Sequence, residues 1–291
     1  DWAAGIVDEP DIDTQLGYQA LRAALMFNAP KAVNTWMHRY DTAESQAEKL
    51  RLAVLALDIA EHLDPRLFRS MADSSNRVIG QISVVGQRLA EKKPAGDDIV
   101  KLIRMNNLLT SRWALQYAIP LAEDDIARAR PILIGLIRAG DDEYLLHESD
   151  RKPRFAKARL EATVIATERL HENDASSQGL LTEMINDAPM LMQEAMLMGL
   201  IRSDGESPQR VLVGVKELGG RTARAMALLL RAKNAQTLPQ EQIEELSLVV
   251  RGGGGLLEPL RIQAAWTYLK LTRQERVALA TVLGGAGNGD N

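Results

Sequence analysis

Helix-start signals recur along this chain at short intervals, and that spacing constrains the fold more than any single motif does. "DTAE" (Asp41–Glu44) and "TRQE" (Thr272–Glu275) have capping-box form, with a side-chain acceptor followed three residues later by a glutamate. "DPR" (Asp64–Arg66) and "SPQ" (Ser207–Gln209) put proline at a first helical position, where its missing N–H costs nothing. "TLPQEQ" from Thr237 has the same character. Between these starts the apolar residues fall at helical spacing, as in Val211, Val215 and Leu218, or Ile99, Leu102 and Ile103 running on to Leu109 and Trp113. Leu50–Leu63 is apolar almost all round, which predicts burial on several sides.

The pattern predicts helices near 13–27, 31–39, 43–63, 65–91, 97–117, 122–139, 142–148, 154–171, 178–201, 208–218, 221–233, 239–250, 256–270 and 273–283. Only "RVLVGV" (Arg210–Val215) resembles a strand, and a lone strand has nothing to pair with. The expected class is all-α. Short connections such as "KKPAGD" (92–97) and "SDGE" (203–206) favour antiparallel hairpins. An irregular α-solenoid is the expected arrangement, with a compact multi-helix bundle as the alternative; no tetratricopeptide or ankyrin consensus is present. The whole of 1–291 reads as one helical domain. Its natural subdivision is at "SDRKPR" (149–154), giving halves 1–150 and 151–283, with a flexible tail at 284–291.

Composition narrows the chemistry. There are no cysteines, so disulfides, zinc fingers, iron–sulfur ligation and thiol catalysis are excluded. No apolar run reaches the length of a membrane span. The chain begins "DWAAGIVDEP" without an initiator methionine, which fits a trimmed chain or the mature form of an exported bacterial protein; the compartment stays open. A net charge of −4 does not suggest nucleic-acid binding. That charge is unevenly spread, with eight acids and four bases in residues 1–50 but eleven bases and six acids in 210–280.

Five of the ten methionines fall within "MINDAPMLMQEAMLM" (184–198). Core filling is the first reading of Met190, Met192, Met196 and Met198, since unbranched thioethers fill irregular gaps. A pliable partner groove comes second. Copper(I) ligation comes last, because on one helix only Met192 and Met196 share a face. Arg221, Arg224 and Arg231 lie within roughly 80° on a helix of 3.6 residues per turn and form the core of the basic region. They suit an acidic partner segment; the bland alternative is a solvated face with ordinary salt bridges. No aromatics interleave with them, which argues against single-stranded nucleic acid.

The other candidates are weaker. Glu168-x-x-His171 has the spacing of a di-iron carboxylate half-motif, but no second copy accompanies it. His38, His62 and His147 form no zincin pattern. "RGGGGLLEPL" (Arg251–Leu260) lacks the lysine and the preceding strand of a phosphate loop and reads as a turn. Asp97-Asp98, Asp124-Asp125 and Asp141-Asp142 read as acids placed at helix starts, where they complement the dipole. Three functions follow. First is a non-catalytic scaffold or adaptor that binds another protein through a groove or a charged helix face, with no cofactor or metal and no committed oligomeric state. Second is an all-α hydrolase or transglycosylase using Glu148. Third is a Met-rich metal- or ligand-binding protein.

Overall fold

The computed structural model describes residues 14–27, 30–139, 153–233, 235, 237–253 and 258–273. All regular structure among them is helical, so the chain is all-α. It divides into two compact units, Asp1–Ala139 and Gly140–Asn291. No described helix is long and apolar enough to cross a membrane.

The first unit contains α1 (Thr14–Met26), α2 (Pro30–Thr42), α3 (Gln46–Asp58), α4 (Pro65–Arg69), α5 (Arg77–Ala90), α6 (Gly96–Arg104), α7 (Leu108–Asp124) and α8 (Ile126–Arg138). Most of its starts carry a side-chain cap. Asp64 accepts from Arg66 N–H at 2.8 Å ahead of Pro65, and Asn76 and Asn107 cap α5 and α7 in the same way. The expected start at Asp41–Glu44 is displaced. Asp41 and Thr42 finish α2, where the Thr42 hydroxyl bonds back to the His38 carbonyl, and Ser45 caps α3 by accepting from Glu48 N–H at 3.1 Å. Two other expected helices are broken: 65–91 into α4 and α5, and 97–117 at Met105-Asn106, where Asn106 has φ of 54°. The core is knit across α5, which packs on α3, α4 and α6, while α8 packs on α6 and α7. Phe68 lies directly on Gly86, where a Cβ would come within 2.2 Å of its ring. Trp36 is fully buried, donates to the Leu52 carbonyl at 3.0 Å and stacks on Tyr40.

The second unit contains α9 (Pro153–Asn173), α10 (Gln178–Asp187), α11 (Met190–Arg202), α12 (Gly220–Lys233), α13 (Gln240–Leu248) and α14 (Glu258–Thr272). The expected helix at 178–201 breaks at Ala188-Pro189, because a residue before proline is pushed out of the α region. The expected helix at 208–218 is instead a 3₁₀ segment, Pro208–Gly214, and Leu218-Gly219 ends no helix. A π-helical turn, Val249–Gly253, follows α13. α9 and α11 cross so closely at Gly199 that a Cβ there would lie 2.5 Å from the Val164 carbonyl. α12 is the hub, packing against α11, the 3₁₀ segment, α13 and α14. The expected helices at 142–148 and 273–283 and the tail 284–291 lie outside the described residues, as do His147, Glu148 and Asp141-Asp142.

Candidate functional site

The first unit carries an open groove made of two adjoining cavities, of about 340 Å³ and about 440 Å³. Tyr117, Leu121 and Arg128 border both. The floor of the larger cavity is one face of α7: Trp113, Gln116, Tyr117, Pro120, Leu121 and Asp124 recur at three- and four-residue steps and so lie on a single stripe. Trp113 and Tyr117 stack with ring centroids 5.4 Å apart. The walls come from the end of α3 and the 3₁₀ turn after it, which supply Asp58 and Glu61, and from the start of α8, which supplies Asp125 and Arg128.

The two cavities differ in charge. In the smaller, Asp98 is buried and held on both sides, by Arg88 Nε at 2.6 Å and Lys101 Nζ at 2.9 Å. Gln81 Nε2 also donates to its backbone carbonyl at 3.0 Å. The larger cavity sets Asp58, Glu61, Asp124 and Asp125 against the single guanidinium of Arg128. Asp58 pairs with Arg22, and Asp125 caps α8 through Arg128 N–H. Burial pushes the Tyr117 phenol above its ordinary pKa, although the neighbouring charge of Arg128 pulls the other way.

Two prolines add backbone chemistry. Pro120 lies inside α7 and Pro131 inside α8. Each lacks the N–H that would bond the carbonyl four residues earlier. Those carbonyls belong to Gln116 and Ala127, and both residues line the groove.

The groove was not among the sites expected from sequence, where Asp124-Asp125 reads only as a helix start. The residues singled out for partner binding lie in the second unit. Met192 and Met196 are 1% and 0% exposed, so no partner reaches them in the folded chain; Met184 is buried beside them and Met198 is half-buried. Met190 alone is exposed, at 48%, and packs over Gly219 and Gly220. The stretch is chiefly core. Arg221, Arg224 and Arg231 are all exposed on α12, and none forms an ion pair with a described residue. They do not make a continuous stripe, because Leu228, which falls between them on the helical wheel, is buried.

Polar groups in the second unit mostly face inward. His171 Nδ1 lies 2.8 Å from Ser203 Oγ, which also accepts from Gly205 N–H. Lys233 Nζ donates to the carbonyls of Ile201 and Ser203 and closes the end of α11. Gln193 donates to the Ile185 carbonyl and accepts from Gly219 N–H. Burial lowers the His171 pKa below its ordinary value and pulls the Arg159 guanidinium down to about 10. Glu168, the other half of the expected di-iron motif, is pushed up by burial and by Glu172. Among the described residues no group of three or more histidines and carboxylates is arranged to hold a metal ion. No family model, curated protein or solved structure matches this chain.

Proposed function

We propose that the protein is a non-catalytic α-helical adaptor that holds a segment of another protein in the groove along α7. The observation that carries this reading is an open cleft with a charged rim, floored by part-exposed Tyr117 stacked on the buried Trp113. Binding energy at protein interfaces concentrates in aromatic anchors surrounded by polar residues that exclude water. Catalysis fits the same cleft poorly. No serine, threonine or histidine lines either cavity, so the serine–histidine kind of nucleophile and base is missing from the described lining. The carboxylates of the lining are exposed, as Asp58, Glu61 and Asp124 are, or buried and committed to cations, as Asp98 is to Arg88 and Lys101.

A second reading rests on a separate observation. The guanidiniums of Arg221, Arg224 and Arg231 have no carboxylate partner among the described residues, which favours an acidic segment of a partner on α12. Arg224 and Arg231 are about 10 Å apart along the helix axis, with buried Leu228 between them, so such a partner would touch two separate points.

Photo-crosslinking from the groove tests the first reading. A photoreactive residue at exposed Gln116 should trap a defined partner segment in extracts of the producing cells, identified by mass spectrometry. The same residue at Val213, which is also exposed, serves as the control. If Gln116 traps nothing beyond what Val213 traps, the groove is not the binding surface.

A further inference from the structure

The loop that leaves α11, Ser203–Ser207, is clamped onto a buried histidine of α9. His171 is 5% exposed, and its Nδ1 lies 2.8 Å from the fully buried Ser203 Oγ, which accepts from Gly205 N–H at 3.0 Å. Gly205 rests so closely on the imidazole that a Cβ there would come within 2.6 Å of Nδ1. Glu172 takes Asp204 N–H on Oε1 at 3.0 Å, while its Oε2 pairs with Arg169. From α12, Lys233 Nζ donates to the Ser203 and Ile201 carbonyls. The loop ends at Ser207 with φ of 54°, a conformation that side chains disfavour and that the surrounding contacts must hold. We infer that His171 is the catch of an acid-released latch: neutral, it holds Ser203–Ser207 on α9, and protonated, it lets the loop go. This is a property of the second unit and does not depend on the groove.

The argument is a count of donors and acceptors. With a neutral ring, Gly205 N–H donates to Ser203 Oγ and the Ser203 hydroxyl donates to Nδ1, so every group facing the loop is satisfied. The other ring nitrogen, Nε2, is buried with no partner, and Thr167, one turn earlier, also has an unpartnered hydroxyl. Protonation turns Nδ1 into a donor, so the Ser203 hydroxyl loses its acceptor, and it adds a charge where Nε2 has nothing to bond. Glu172 is the nearest anion, but turning toward the ring would take it off Asp204 N–H. Either adjustment removes a contact that holds the loop. Among the other charged groups, Lys233 opposes the new charge, as does burial, and Glu172 favours it. Glu168 on α9 is half-buried and itself pushed toward its neutral form, and Asp174 is spent on Ser176. Arg202, Asp204 and Glu206 face solvent.

The test is amide hydrogen exchange on the intact chain, read by NMR from neutral pH down to about pH 5.5. Each rate is divided by that of an unstructured peptide at the same pH, which leaves the protection due to structure. Asp204 and Gly205 should be far less protected than Leu197 and Leu200 inside α11 at every pH, because the loop opens without the helix. Their protection should fall by up to about tenfold per pH unit below 6.5, since the open loop frees the ring to take up a proton. His171→Gln keeps a side chain that can bond Ser203 but cannot titrate, and it should flatten that fall.

The latch is overturned if the protection of Asp204 and Gly205 is the same at both ends of the pH range, or if its fall persists in His171→Gln. It is also overturned if the loop and the interior of α11 share one protection value at each pH, because the loop would then open only when the whole unit unfolds. Should His171→Gln fail to fold, the imidazole signals of the unaltered chain decide instead. The His171 ring should titrate at lower pH than the exposed His38 and His62. A His171 ring that titrates together with those two would reject the latch.

Discussion

The two units use their polar residues in opposite directions. In the second unit His171, Ser203, Gln193 and Lys233 turn inward and tie loops to helix ends, so their hydrogen-bonding capacity is spent on the fold. In the first unit the α7 face gathers aromatics and carboxylates from three segments onto an open cleft, and two of the carboxylates remain unused. The methionine run, the most conspicuous feature of the composition, belongs to the inward-facing unit and mostly fills its core. A conspicuous stretch of sequence can thus serve the core rather than a surface.

The comparison breaks most readily in the second unit's core. Met196→Ala should destabilise the chain by about 3 kcal/mol, the cost of an unfilled core cavity, while Met190→Ala should change stability by less than about 0.5 kcal/mol. Equal effects in chemical denaturation would mean that the run is not core.

A smaller effect concerns His171. Burial holds its folded pKa below 6.5, Lys233 adds to that depression, and Glu172 only partly opposes it. As pH falls through 6.5 the unfolded chain takes up the proton before the folded chain does, so stability declines from there downward until the folded imidazole is also protonated. Glu168 and Glu194, whose carboxyls burial pushes up, act in the opposite sense at lower pH. His171→Gln should therefore remove a decline that begins near pH 6.5. An identical fall in melting temperature for both proteins between neutral pH and about pH 5.5 would contradict the inward role of His171.

The smallest stability effect should come from the groove. Glu61→Gln with Asp124→Asn touches no described hydrogen bond and should leave stability within about 0.5 kcal/mol of the unaltered chain. A larger loss would mean that these carboxylates serve the fold after all.

The helical class was legible because caps and apolar spacing agree locally; Asp64-Pro65 starts α4 as its sequence says. Where two signals overlapped, tertiary context chose between them: Asp41 and Ser45 both have a glutamate three residues on, and only Ser45 is free of the preceding helix. Pro208 began a helical turn, yet the run stayed 3₁₀, with Ser207 at φ of 54° and no side-chain cap. The groove was hidden for two reasons. Its walls come from residues near 58–61 and 125–128, a juxtaposition that only the fold makes. Its floor was divided on paper, since the expected helices stopped at 117 and resumed at 122, whereas α7 runs through Pro120 and keeps Trp113 to Asp124 on one face. Proline inside a helix forfeits one hydrogen bond, and at an exposed position water can satisfy the freed carbonyl.

The most direct test of the account is capture of the segment trapped from Gln116, compared across three proteins. These are the unaltered chain, Gln116→Lys with Asp124→Lys in the first unit, and Arg221→Glu, Arg224→Glu and Arg231→Glu in the second. All five altered positions are exposed, so folding should survive in each case. The account predicts that the groove variant loses capture while the arginine reversal retains it. Capture that survives in the groove variant and vanishes with the arginine reversal would contradict the account and transfer the function to α12.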